Sequence, residues 1–391
     1  MFFDYCYNSI VKILMSSSYY LPNVSGITIY MQILAEELVA KGHQVTILTS
    51  HHDLSSKKEE IINGVRIKRL QVAFKIGKGV IMPSFLWESI KEIRKSQIIN
   101  CHLPQPGALW LSLWGRLLAK KVFLTHHTDL SFWKGIKNKI IDGGVFVCHF
   151  LAALLSNKLV PYTEDYANDS YFLKLFPKKI KAIYPPIKMV SKKDISLEKK
   201  IDGLIKNKKY IIGFCGRIAK QKGIEILIRA SRILDKRIGK GSYLILMAGP
   251  IKVIGENYYD FLEKKYGKEL KDKFVFLGNI ERESLSSFYK KIDLLVLPSD
   301  DKLESFGWVQ IEAMKNGAPC VTSNLSGVRI PVRESKMGEI FKIADEKDLA
   351  KKLELVLKRG KKDYQKEMDK DNRIFNYQKS IDDYEKLFKN S

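Results

Sequence analysis

The fold of this chain is indicated most clearly by residues 293–317, DLLVLPSDDKLESFGWVQIEAMKNG. The apolar run DLLVLPS predicts a buried strand that ends near Pro298 and is followed by a polar loop. A helix is predicted to begin at Gly307 or Trp308, and Gly317 is a typical helix stop. Strand, loop and helix in this order form the repeating unit of doubly wound α/β proteins.

The same alternation of strands and helices extends in both directions. Before residue 175, the runs VKILMSSS, VTILTS, SQIINCHLP and KVFLTHH predict strands with helical segments between them. After residue 209, the runs YIIGFCG, YLILMAG and FVFLG predict further strands. Residues 175–209 interrupt the pattern with three prolines and many lysines. We therefore predict an α/β fold with two Rossmann-like, doubly wound domains that face each other across a cleft.

The domain boundaries follow from the same pattern. Residues 1–187 are predicted to form the N-terminal Rossmann-like domain, and 188–209 a lysine-rich linker region. Residues 210–370 are predicted to form the C-terminal domain. Residues 371–391 are predicted to contain an amphipathic helix that crosses back to the first domain.

The charge of the chain indicates an anionic partner. Lysine and arginine exceed the acids by 67 − 43 = 24 among 391 residues. Nucleic acid, a phosphorylated substrate and an acidic membrane surface would all satisfy this surplus, and many of the lysines fit a merely solvated surface. The most basic stretch is residues 57–95, with ten cations against four acids.

Cysteine usage and hydropathy predict a cytosolic protein. The five cysteines are far apart in the sequence and none forms a CxxC motif, which favours reduced thiols. The N-terminal MFFDYCYNSIVKILMSSS lacks the basic lead of a signal peptide. The apolar run at residues 145–155, VFVCHFLAALL, is shorter than the ~20 residues that span a bilayer. We interpret it as a buried helix.

Two acids are the first candidates for chemistry. Glu304 is predicted in the loop and Glu312 about one turn inside the following helix. Carboxylates accept hydrogen bonds from vicinal hydroxyls, and the amides of a helix N-terminus favour a phosphate. These groups together could hold a sugar, a ribose and the diphosphate between them. The alternative is a loop acid and a solvent-facing helical residue. Neighbouring Asp300 and Asp301 are expected to be solvated, so no metal site is predicted.

The segment PSDDKLESFGWVQIEAMKNGAP resembles the E-x7-E signature of the retaining family 4 glycosyltransferases, which have the GT-B fold. This resemblance implies that Glu304 is catalytic and that Glu312 binds the nucleotide-sugar donor. It also places Ser305, Phe306 and Gly307 in the donor-binding turn. It identifies the second domain as the donor side and the first as the acceptor side.

Further motifs resemble the same family in the same order. GFCGRIAKQKG resembles its G-R-x4-K-G segment, which implies that Gly216, Arg217 and Lys222 bind the donor, the two cations on its diphosphate. THHTDL resembles its T-x-H-[ST]-D motif and implies a catalytic His127 beside the donor sugar. PNVSGITIY stands in place of its glycine-bearing first loop and implies a donor contact at Gly26.

The resemblance predicts a retaining transferase that moves a hexose-type sugar from a nucleotide-diphosphate sugar to an acceptor hydroxyl. UDP- and GDP-sugars are both candidate donors, and no cofactor is obligatory. The expected acceptor is a glycan or a lipid-linked sugar in cell-envelope synthesis. The expected location is the cytoplasm, at the inner face of the cell membrane, with residues 57–95 as a candidate contact with anionic lipid. Nucleic acid is not an expected partner, since no reader motif is found.

Three other functions remain open at this point. The chain could be an epimerase of the same fold, a basic protein that binds membranes or nucleic acid, or a non-catalytic subunit. The sequence has no GxGxxG after its first strand, no GxxxxGK[ST] and no HExxH. It therefore lacks the motifs of dehydrogenases, P-loop nucleotidases and zinc peptidases.

Overall fold

A computed structural model describes residues 10–76, 79–130, 136–251, 257–368 and 373–390, with only the backbone for residues 136–138. Cys6 lies outside the described residues. The other four cysteines are free thiols, three of them buried.

The strands and helices alternate along the chain. The strands are β1 Lys12–Ser16, β2 Gln44–His51, β3 Glu59–Ile62, β4 Val65–Gln71, β5 Phe74–Ile76, β6 Gly79–Ile81, β7 Ile98–Leu103, β8 Lys121–His126, β9 Lys158–Val160, β10 Tyr210–Cys215, β11 Tyr243–Ala248, β12 Phe274–Gly278, β13 Leu294–Leu297, β14 Cys320–Ser323 and β15 Gly338–Phe341. The helices are α1 Gly26–Ala40, α2 Phe85–Lys95, α3 Ala108–Leu117, α4 Ile136–Leu155, α5 Glu164–Asp169, α6 Ile195–Ile205, α7 Ile224–Ile238, α8 Tyr258–Lys273, α9 Leu285–Lys291, α10 Trp308–Lys315, α11 Ile330–Ser335, α12 Glu346–Arg359, α13 Lys361–Gln365 and α14 Tyr377–Lys389.

The chain divides into two compact units. The first contains Met1–Pro186 together with Tyr377–Ser391, and the second contains Ile187–Asn376. Each unit has its own hydrophobic core, as expected for domains that fold around separate sheets.

The first unit is built on a seven-stranded sheet in the order β3-β4-β2-β1-β7-β8-β9. All neighbours pair in parallel except β3, which is antiparallel to β4. The central strands are almost wholly buried, which explains why they appear in the sequence as continuous apolar runs. The β3–β4 hairpin and the β5–β6 hairpin were not predicted. The strands of the first are rich in charged residues, and those of the second have only three residues each.

The apolar run at residues 145–155 is helical, as predicted, and forms the second half of α4. The prediction that this helix is buried was wrong. Ala152 and Ala153 are buried, but Val147, Leu151 and Leu154 are 55%, 40% and 52% exposed. Hydropathy cannot identify which side of an apolar helix is covered, because both sides of this one are apolar.

The second unit has a six-stranded parallel sheet in the order β12-β11-β10-β13-β14-β15. Strands β10 and β13 are neighbours at the centre, with Ile212 opposite Leu294. The two loops that carry the predicted donor residues follow these two strands, so both leave the sheet at its carboxyl edge. That edge is where parallel α/β sheets bind ligands.

The segment predicted as a linker, residues 188–209, contains helix α6 and groups with the second unit. The Asp194 side chain accepts a hydrogen bond from the Leu197 amide and caps the helix. Ile201 is fully buried, and the Asp194 amide donates to Ser287 at 3.0 Å. Lys199 and Lys200, the two lysines within α6, are exposed on the outer face of this helix.

The C-terminal helix α14 packs on the first unit, against α1 and β8. The Tyr30 hydroxyl donates to the Tyr384 hydroxyl at 2.6 Å, and Lys41 forms ion pairs of 2.8 Å with Asp382 and Glu385. Burial raises the pKa of Glu385, but hydrogen bonds from Lys389 and Lys41 outweigh it and lower this pKa to about 2. The carboxylate thus stays ionised, and its ion pair holds, until pH falls far below neutrality.

Candidate functional site

The first loop of the candidate site follows strand β10. Gly216 comes directly after the strand, and Arg217 is exposed. In the described parts of the chain, no carboxylate pairs with Arg217. A turn of 3-10 helix then carries Lys222 and ends at Gly223, which has a left-handed backbone with φ of 65°. The loop therefore presents one exposed guanidinium group and the ammonium groups of Lys220 and Lys222 within six residues.

Gly223 fixes where this turn lies. A Cβ atom at this position would stand 1.9 Å from the carbonyl oxygen of Pro298, at the end of β13. Only glycine allows both the left-handed conformation and this close approach. The contact holds the Lys222 turn directly beside the loop that carries Glu304.

Lys222 and Glu304 meet across the two loops. The Lys222 ammonium group donates to the Glu304 carboxylate in a short ion pair, although the two residues are 82 positions apart in sequence. Their side chains are only 17% and 16% exposed. An ion pair so largely withdrawn from solvent is screened less by salt than a surface pair. Two residues that the motifs placed on one donor are thus brought together.

The second loop runs into the N-terminus of α10. Gly307 has a left-handed backbone with φ of 77° and immediately precedes the helix. The Gln310 side chain ties the loop down by donating to the carbonyls of Phe306 and Val328, at 3.1 and 2.9 Å. Phe306 is 1% exposed and packs on Phe375, so its side chain is not available to a ligand. Ser305, beside it, is 7% exposed.

Glu312 is held inside the second unit by a residue that the sequence reasoning missed. The Tyr289 hydroxyl donates to the Glu312 carboxylate at 3.0 Å, and Tyr289 is 1% exposed. Burial raises the pKa of Glu312, while the charge of Arg282 and the Tyr289 hydrogen bond act in the opposite direction. Glu312 is therefore not the solvent-facing helical residue of the alternative interpretation.

His127 lies in the first unit and belongs to a buried polar network. It is 3% exposed, and its ring nitrogens hydrogen bond to His102, at 2.9 Å, and to Tyr162. Burial lowers the pKa of His127 well below its usual value, so the ring is neutral at physiological pH. Its catalytic role rests on the motif and stays a prediction.

Gly26 is the first residue of α1. Ser25 caps this helix, and the Ser25 and Thr28 side chains each accept a hydrogen bond from the other residue's backbone amide. Gly26 is exposed, and a Cβ atom there would meet nothing within 4 Å. No contact among the described residues requires glycine at this position, so its donor role also stays a prediction.

Among the described residues, no group of three or more His, Cys, Asp or Glu side chains is arranged to hold a metal ion. Asp300 is exposed at the start of the second loop. Partial desolvation of its carboxyl group and the neighbouring Asp301 raise its pKa. The chemistry that the described site offers is that of cations, carboxylates and helix amides.

Two family models match consecutive parts of the chain. The model described as Glycosyltransferase Family 4 matches residues 24–187, and the model described as Glycosyl transferases group 1 matches residues 196–374. The chain belongs to glycosyltransferase family 4. The first region contains every strand of the first sheet except β1, and the second contains all strands of the second sheet. Together they cover most of the sequence.

Individual relatives agree with this assignment. An uncharacterized glycosyltransferase of Methanocaldococcus jannaschii is 29% identical over 81% of this chain and 82% of its own length. The capsular polysaccharide biosynthesis glycosyltransferase CapM of Staphylococcus aureus is 31% identical over 41% of this chain and 40% of its own. The crystal structure of Anabaena HepE in complex with UDP and glucose is 14% identical and superposes with a TM-score of 0.76, covering 97% of this chain and all of that one. The fold is GT-B, with two Rossmann-like domains.

Proposed function

We propose that this glycosyltransferase moves a hexose-type sugar from a UDP-sugar to an acceptor hydroxyl with retention at the anomeric carbon. The observation that carries the proposal is the Lys222–Glu304 ion pair beside the N-terminus of α10. It places a cation and a carboxylate beside the start of a helix, at the carboxyl edge of one sheet. Such a set suits a diphosphate joined to a sugar.

The chemistry follows from where charge develops. When the bond between sugar and diphosphate breaks, negative charge grows on the diphosphate oxygens. Lys222, Arg217 and the amides at the start of α10 would stabilise that charge. Glu304 would leave its ion pair when the diphosphate takes over Lys222, and its carboxylate would then face the cationic sugar carbon. Glu312 would accept hydrogen bonds from a diol of the ribose.

UDP is our choice of nucleotide because the HepE structure of the same fold was obtained with UDP and glucose. A GDP-sugar remains the main competitor. The acceptor is proposed to be a cell-envelope glycan or a lipid-linked sugar, since CapM is named for capsular polysaccharide biosynthesis. This assigns the enzyme to the cytoplasmic face of the cell membrane.

The proposal is tested by a thermal-shift and hydrolysis screen of the purified protein against UDP-, GDP- and ADP-sugars. Stabilisation by UDP-sugars is expected, and both Arg217→Ala and Glu312→Ala should abolish it. Products are identified so that an isomerised donor, the mark of an epimerase, is recognised. Stabilisation by GDP-sugars alone would correct the choice of base. No shift with any nucleotide sugar would contradict the enzyme assignment to this site.

Tyr289→Phe is expected to weaken donor binding about 5- to 10-fold, because one hydrogen bond that orients Glu312 is lost. In the wild type this hydrogen bond also stabilises the ionised carboxylate. Its loss should therefore raise the pKa of Glu312 further. Donor binding requires the carboxylate and is lost as pH falls through that pKa. The acid limb of the pH profile for donor KM should therefore shift to higher pH, with kcat nearly unchanged at high pH. A weaker donor affinity with an unshifted profile would show that Tyr289 acts only through packing.

A further inference from the structure

One face of helix α4 is apolar and exposed. Ile140, Val147, Leu151 and Leu154 are 70%, 55%, 40% and 52% exposed. Their spacing of seven, four and three residues places all four on the same side of the helix. We call these four residues the α4 stripe. At ~1.5 Å per residue, the stripe extends about 21 Å along the first unit.

The opposite face of α4 is fixed to the domain. His149, Ala152 and Ala153 are buried, and α4 packs against α3. A surface helix normally turns charged residues to the solvent, but residues 143–155 contain none. Helices of the described chain are all too short or too polar to cross a bilayer. The α4 stripe therefore lies on the surface of a packed helix. Contact with an apolar partner would remove its side chains from water.

Cations gather at the C-terminal end of this stripe. Lys179 donates to the carbonyls of Ala153, Leu154 and Ser156, at 2.8, 2.7 and 2.7 Å, where α4 ends. Burial lowers the pKa of Lys179, and the charges of Arg116 and Lys158 lower it further.

Two cations in this region, Arg116 and Lys178, are exposed and therefore available to a partner. Lys158 donates to the carbonyl of Lys178 at 3.2 Å. We call Arg116, Lys158, Lys178 and Lys179 the α4 cations. Within the part of the chain that the structure describes, no carboxylate forms an ion pair with any of them. Their positive charge is therefore not neutralised by a carboxylate of the described chain.

The basic stretch at residues 57–95 offers a weaker contact surface than its composition indicated. All four of its acids form ion pairs with cations of the same stretch. The pairs are Glu59 with Arg66, Glu60 with Arg69, Glu88 with Lys68 and Lys91, and Glu92 with Arg66, Lys68 and Lys95. Half of its ten cations are thus already engaged.

We propose that the α4 stripe and the α4 cations form a docking surface for a bilayer that contains anionic lipids. The apolar side chains would enter the boundary between headgroups and acyl chains, and the cations would contact lipid phosphates. A second copy of this chain is a poorer occupant, because a symmetric contact along the stripe would bring two unpaired cation clusters toward one interface. The inference rests on the proposed function only in that a lipid-linked acceptor would explain the need for docking.

The test is sedimentation with vesicles of phosphatidylcholine, with and without phosphatidylglycerol, at several salt concentrations. The variants are Val147→Gln with Leu151→Gln, and Arg116→Gln with Lys178→Gln. Ile61→Gln is the matched control, because Ile61 is 72% exposed in the same unit but lies on β3. Wild type and control should bind phosphatidylglycerol vesicles. Both double variants should bind at least about 10-fold more weakly, since each removes one of the two attractions.

Three outcomes would overturn the inference. Wild type could fail to bind anionic vesicles, the stripe variant could bind as well as wild type, or sedimentation velocity could show a dimer that only the stripe variant loses. The thermal shift by a nucleotide sugar is measured on every variant. If that shift persists while vesicle binding is lost, the docking surface and the donor site are independent. If wild type binds vesicles but shows no donor shift, the proposed function fails and the docking surface stands.

Discussion

Lys222→Ala is expected to lower kcat for sugar transfer by about 100- to 1000-fold, the usual effect of removing one preorganised group that stabilises developing charge. Two consequences of the substitution act in the same direction. Under the proposed function, the departing diphosphate would lose its most buried cation, and Glu304 would remain nearby as an unpaired carboxylate. The measurement is steady-state transfer from the UDP-sugar identified in the donor screen.

Lys220→Ala is the matched control for this prediction. Lys220 lies in the same 3-10 turn and is exposed, so its loss removes the same charge from the same loop. Its effect on kcat should be less than about threefold, because an exposed charge is screened by solvent. Equal losses in the two variants would mean that only the net charge of the loop matters and that the ion pair with Glu304 has no special role.

Gly223→Ala is expected to destabilise the second unit by about 3 kcal/mol or more, at the upper end of single substitutions. The added Cβ would stand 1.9 Å from the Pro298 carbonyl oxygen, and its own backbone has a left-handed φ of 65°. Both obstacles are backbone, so no side-chain rotation relieves them. The turn must move away from β13, and this would also separate Lys222 from Glu304.

Gly241→Ala is a control that separates the effect of the left-handed backbone from the effect of the close contact with Pro298. Gly241 has a φ of 81°, but a Cβ there meets nothing within 4 Å. This control should be destabilised only by the cost of a left-handed backbone at alanine, about 1 kcal/mol. Urea unfolding followed by far-UV circular dichroism gives both values. Similar losses in the two variants would show that the contact with Pro298 relaxes easily and does not fix the loop.

The sequence was sufficient for the parts of the fold that depend on local pattern. The strands around residues 210–215 and 294–297 are continuous apolar runs, and Gly317 follows the end of α10, so these elements could be recognised without tertiary information. The two hairpins of the first unit could not. The β3–β4 hairpin pairs strands rich in charged residues, which include the Glu59–Arg66 ion pair, and the strands of the β5–β6 hairpin have only three residues each.

The candidate site also has features that could be predicted from the sequence and features that could not. Its motif residues were identified by resemblance, but their contacts were not. The Lys222–Glu304 pair joins positions 82 residues apart, and Tyr289 reaches Glu312 over 23. The partners in each contact are too far apart in the sequence for a local pattern to predict that they meet. Tyr289 could have been suspected from one feature only, an aromatic residue just before the strand that leads into the signature.

The pairing of α14 with the first unit has a consequence for how this protein is made. The second unit is inserted between residues that both belong to the first, so the ribosome completes the insert before the host. Until residues 377–390 emerge, Tyr30 and Thr125 lack the Tyr384 hydroxyl and Phe123 lacks Phe388. Synthesis of the first unit therefore begins first and is completed last. During that interval its incomplete core exposes apolar residues that chaperones would need to cover.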